Sequence, residues 1–179
     1  MSLLSRKNQE YLKNFKLNEE GKYIYEGTLF LWKKPQERKK MIRRFWIMAA
    51  VMIALPVASG CIPAPGVSFI GYILIPYALS VTAPVLCAFS LSRLSSEEDK
   101  VRDYIYNSSV RRLPRRSLLA AAACLASAAA EIIYIAGSGF GNNLLSALLF
   151  IIMEGAAAVV SLRFRTEFTS LQWEEVPGK

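Results

Sequence analysis

Residues 118–162 read LLAAAACLASAAAEIIYIAGSGFGNNLLSALLFIIMEGAAAVVSL, and this stretch decides the fold. It holds two apolar blocks, 118–136 and 144–162, of 19 residues each, joined by the turn GSGFGNN at 137–143. At 1.5 Å per residue each block makes a helix about 28 Å long, close to the roughly 30 Å hydrocarbon core of a bilayer. Each block carries one charged residue, Glu131 in the first and Glu154 in the second.

Working outward, two more blocks of the same kind lie upstream, at 45–62 and 67–89, separated by the uncharged turn 63–66. Pro56, Pro76 and Pro84 fall inside them, which membrane helices tolerate because neighbouring helices satisfy the freed carbonyls. Gly71 is read as a close-approach site. The expected fold is therefore an all-α integral membrane protein: four transmembrane helices in two hairpins, with a small cytoplasmic part. The chain divides into an N-terminal segment (1–44), the membrane region (45–162, with an inner loop at 93–116) and a C-terminal tail (163–179). No cleavable leader is expected, because the first apolar block starts only after a polar segment of more than 40 residues.

The polar segments carry weaker signals. Residues 2–17 have the spacing of an amphipathic helix, lying on the inner membrane surface or docked on the rest of the chain. Residues 22–32 (KYIYEGTLFLW) are rich in aromatic and β-branched residues and predict a strand, with Gly27 as a bulge or bend. Its expected partner in a two-stranded sheet is 164–173; the alternative is that 164–173 continues the last helix. Pro35 suits the first turn of a helix. Ser95 followed by Glu98 has the form of a capping box and predicts a helix to about 107. Phe45, Trp46, Phe164 and Trp173 sit near span ends and predict an interfacial aromatic belt.

Charge sets the expected orientation. Of the 22 Lys and Arg residues, 12 fall in 1–44, 7 in 93–116 and 3 in 163–179, while both turns carry no charge. By the positive-inside rule both termini and the inner loop face the cytoplasm of a multi-pass cell-membrane protein. The net charge of +8 sits beside the apolar blocks, so it points to anionic headgroups and not to nucleic acid. Arg43, Arg44, Arg111, Arg112, Arg115 and Arg116 are the candidate headgroup contacts. A faint repeat, Arg43-Arg44 against Arg115-Arg116, needs no more than the shared requirement for basic flanks.

The same composition narrows the chemistry. There is no histidine, which excludes histidine bases, Ser-His-Asp triads and histidine metal sites. Cys61, Cys87 and Cys124 are far apart, so no metal site, disulfide framework or cofactor is expected. The glycines of 137–143 lack the strand-then-helix context of a phosphate loop and read as turn residues.

The glutamates remain the sharpest clue. Glu131 should lie about 9 Å and Glu154 about 16 Å below the outer boundary. A charged carboxylate facing lipid at such depth costs several kcal/mol, so both are expected to face protein or water. Ser127 and Tyr134, with Ser146, are candidate partners in the same hairpin, and Ser59, Tyr72, Tyr77, Ser80 and Thr82 in the other. Ala120, Cys124, Ser127 and Glu131 share one helical stripe, as do Ala147, Glu154, Ala158 and Ser161. Ala123, Cys124, Gly155 and Ala158 are the candidate helix-packing residues, since small side chains let membrane helices approach.

Two functions follow. The leading expectation is a non-enzymatic membrane protein acting as an oligomeric or accessory subunit, with a second copy or another membrane protein as partner. The alternative is a homo-oligomeric transporter or channel for a proton, cation or small cationic solute using Glu131 and Glu154. Glutamates in a wet cavity favour transport, and glutamates in a dry seam favour the first.

Overall fold

A computed structural model of the chain describes residues 15–17, 23–25, 27–33, 35–64, 71–97, 100–138 and 143–177. Four long helices dominate it: α1 (Pro35–Gly60), α2 (Gly71–Ser95), α3 (Leu113–Ser138) and α4 (Leu144–Thr169). All four are long and apolar enough to cross a membrane, as expected of a multi-pass membrane protein. They form a ring in which α1 packs on α2 and α4, and α3 packs on α2 and α4. Each helix runs on past the apolar block that seeded it, always at the basic end. Pro35 is the first residue of α1, and Pro56, Pro76 and Pro84 lie within helices.

Small residues turn inward and large ones outward. Ala120, Ala121, Ala123, Cys124, Ser127 and Ala128 of α3 are all buried within the chain. Half of the apolar stretch of α3 is buried, against 22% for α1. Outside, Leu125, Ile133, Leu145 and Ile152 are exposed, as a lipid-facing surface requires. The chain itself thus covers the stripe that would otherwise suggest a dimer seam.

The large apolar core lies elsewhere, at the basic end, where a sheet closes the ring. Strand β1 (Phe15–Leu17) pairs antiparallel with β2 (Tyr23–Tyr25). After a bend at Gly27, β3 (Thr28–Trp32) forms the centre of a second, antiparallel sheet between β4 (Lys100–Arg102) and β5 (Trp173–Pro177). Phe30, Trp32 and Val101 turn into the helix ends beside Phe45, Leu94, Phe164 and Phe168. Phe30 stacks on Tyr106 at 3.8 Å, and Trp173 packs on both Trp32 and Tyr106.

Several expectations are corrected here. The predicted strand at 22–32 is real but split in two at Gly27. Its C-terminal partner is 173–177, which shares only Trp173 with the expected 164–173, because residues 164–169 continue the last helix, as the alternative had it. The sheet is three-stranded, the third strand coming from the inner loop. Ser95 ends α2 and caps no new helix; Glu98 lies outside the described residues. The loop instead folds as β4, a helical turn (Asp103–Ile105) and a π-turn (Tyr106–Val110). The amphipathic helix expected at 2–17 lies outside the described residues except for 15–17, which are strand. Of the expected aromatic belt Trp46 is on the surface and Trp173 is half-buried, while Phe45 and Phe164 are completely buried. The central parts of both turns, 65–66 and 139–142, also lie outside the described residues.

Candidate functional site: a carboxyl at the junction of four helices

Glu154 lies on α4 and is completely buried. Ser59 of α1 donates to its Oε1 at 2.8 Å, and Ser80 of α2 donates to the same oxygen at 3.4 Å. Cys124 of α3 is buried beside the same carboxyl. One residue from each helix therefore converges on one carboxyl. Around it, Ala157 and Ala158 pack on Cys124 and Leu55. Small side chains at these positions let the four helices come close enough for hydroxyls this short to reach.

Each serine also leans on its own helix. Ser59 Oγ also lies 2.9 Å from Pro56 O and Ser80 Oγ 2.8 Å from Tyr77 O, so each hydroxyl shares its one proton between a backbone carbonyl and Glu154. The Tyr77 hydroxyl donates to the same Pro56 carbonyl at 3.1 Å, tying α2 to α1. That tie needs Gly60, because a Cβ there would run into the Tyr77 hydroxyl. Glu154 Oε2 is buried with no hydrogen bond of normal geometry among the described residues, and Ser127 Oγ is in the same position.

Glu131 is also completely buried, on the face of α3 that carries Cys124. It lies seven residues further along, about 10 Å toward the turn end. The two glutamates thus occupy separate levels, and Glu154 bonds to Ser59 and Ser80 and not to Glu131. Tyr134 is half-buried and does not join the Glu154 junction. Ala123 and Ala158 are buried in the packing; Gly155 is half-buried, and a Cβ there or at Gly71 would meet nothing within 4 Å of the chain. Neither glycine mediates a close approach within this chain, whereas Gly60 does. Its signal in the sequence was a glycine closing an apolar block four residues after a proline.

Two clefts lie away from the carboxyls. One of about 300 Å³ is lined by Trp32, Glu37, Met41 and Leu171, and another of about 750 Å³ by Lys39, Arg43 and Trp46. Both open at the basic end. No known protein family, curated protein or solved structure matches this chain. Its function must therefore be argued from its own geometry. Among the described residues no three His, Cys, Asp or Glu side chains converge as metal ligands would.

The arginines divide by role. Arg38, which charge counting treated as one more basic flank residue, is 8% exposed and donates to Leu94 O (3.3 Å) and Glu97 O (2.5 Å) at the end of α2. Arg116 reaches back along α2 to Leu86 O and to the Ser90 hydroxyl. Arg44 pairs with Glu167 at 2.7 Å, joining α1 to α4. Arg43, Arg111, Arg112 and Arg115 are exposed, as headgroup contacts would be.

Proposed function

We propose that this is a non-enzymatic multi-pass membrane protein that acts as an accessory or oligomeric subunit, with both termini and the sheet in the cytoplasm. The observation that supports this most is the packing at Glu154. Its carboxyl is tied to hydroxyls on two other helices, with Cys124 of the third packed on Ala157 and Ala158 beside it. Such an arrangement holds helices together. The partner would be a second copy or another membrane protein. Among the described residues β5 is an edge strand, and an edge of that kind can take a further strand from a partner.

The transport reading keeps one observation in its favour. Glu154 Oε2 has an unused lone pair in a buried place, which a proton or a cation would fill. Flux into proteoliposomes separates the two, with pH and membrane potential varied, on wild type and on Glu131→Gln and Glu154→Gln. The accessory reading expects no flux above empty vesicles, and a complex larger than the monomer in native membranes for wild type and both variants. Proton or cation flux that Glu154→Gln abolishes would overturn it, because an amide cannot ionise.

A further inference from the structure

We propose that the groove between α1 and the C-terminal end of α2 binds the phosphate headgroup of one anionic membrane lipid. The groove, of about 750 Å³, is lined by Gln36, Arg38, Lys39, Arg43 and Trp46 of α1 and by Ser95 of α2, with Ile42 alongside. It holds three cationic side chains and no acidic one. Gln36, Lys39, Arg43 and Trp46 recur at the spacing of a single helical face, so one stripe of α1 runs from amide through two cations to an indole.

The three cations are not equivalent. The Arg38 guanidinium is held against the Leu94 and Glu97 carbonyls. It thereby offsets the negative end of the α2 dipole, which would otherwise repel an anion from this place. Lys39 and Arg43 are exposed and make no ion pair among the described residues. They are the groups available to a phosphate.

Depth selects a lipid over a free anion. Trp46 is 38% exposed and sits where α1 passes from its basic segment into its apolar block. Indoles favour the headgroup level of a bilayer. On the same side of α1 further along, Ile47 and Val57 are exposed and offer an apolar track for an acyl chain. A phosphate held by Lys39 and Arg43 would therefore have its tail on the helix below it. This differs from diffuse attraction by Arg111, Arg112 and Arg115, which are not part of the groove.

The test uses the full chain in vesicles of phosphatidylglycerol and phosphatidylcholine in equal parts, extracted and weighed by native mass spectrometry. Wild type should retain one phosphatidylglycerol. Lys39→Gln with Arg43→Gln should retain it at least about tenfold less, given the typical attraction of each basic residue to an anionic surface. Arg111→Gln with Arg112→Gln makes the same change in charge and should retain it like wild type. Lys39→Arg with Arg43→Lys should also retain it, which guards against a folding defect in the glutamine pair. Equal loss from both glutamine pairs would reduce the site to diffuse surface charge and overturn the proposal. So would retention of phosphatidylcholine in equal measure, or displacement of the lipid by millimolar inorganic phosphate.

Discussion

At the residue scale the buried carboxyl is a problem of counting protons. Ser59 and Ser80 bring one hydroxyl proton each. Their oxygens lie within reach of Pro56 O, Tyr77 O and Glu154 Oε1, so acceptors outnumber donors. A neutral side chain at 154 that carries a donor of its own relieves the shortage. Glu154→Gln has one, with nearly the same volume. It should melt in detergent within about 1 kcal/mol of wild type. Glu154→Leu leaves Ser59 and Ser80 bonded only to their own helices, so the ties from α4 to α1 and α2 are lost, and it should cost about 1–3 kcal/mol. A leucine variant that melts like wild type would remove the structural role assigned to this carboxyl. The sequence placed Glu154 against small residues and put Ser59 and Ser80 among its possible partners. It did not mark which of the hydroxyls would meet it, because that depends on how four separate helices are rotated about their axes.

At the element scale the end of α2 shows what holds the basic end together. The last four carbonyls of any helix lack partners within it. Here one guanidinium from α1 covers two carbonyls at the close of α2, and charged donors are the strong kind. Arg38→Met keeps the apolar stem and removes the donors. It should cost about 1.5–3 kcal/mol, read as a lower unfolding midpoint. Lys40→Met, on an exposed neighbour, should move the midpoint little, and equal effects would deny Arg38 its special place. The aromatic cluster beside it has the same logic. Phe45 meets Phe164 and Phe168 edge-on at 5.2 and 5.3 Å, locking α1 to α4 where both leave the apolar zone. Position near a span end made Phe45 and Phe164 read as membrane-interface anchors, because the sheet that covers them is assembled from distant parts of the chain.

For the whole molecule the consequence of charge asymmetry is a sidedness that the native cysteines can report. Cys61 is exposed at the end opposite the sheet, while Cys87 and Cys124 are buried. In the folded protein only Cys61 should react with a membrane-impermeant maleimide, and it should do so in intact cells. Moving the thiol to the other end, as Cys61→Ser with Lys100→Cys, should make labelling depend on permeabilisation. The reverse pattern would turn the molecule over and take the basic end, its sheet and the lipid groove to the outer face.

Four apolar blocks, their lengths and their uncharged turns were enough to determine four membrane-length helices, since a bilayer asks only for length and apolarity. Lys22 to Trp32 also announced a strand, because aromatic and β-branched residues pack well on a pleated surface. What only the tertiary structure decided is what those elements meet. Residues 28–32 pair with residues 100–102 and 173–177, partners roughly 70 and 145 positions away, and no local pattern encodes a pairing across such distances. The same holds for Gly60 beneath Tyr77, for Arg38 on the end of α2, and for one carboxyl bonded by hydroxyls from two other helices. Each depends on the rotation and offset of packed helices, which are set by the fit of all their side chains at once.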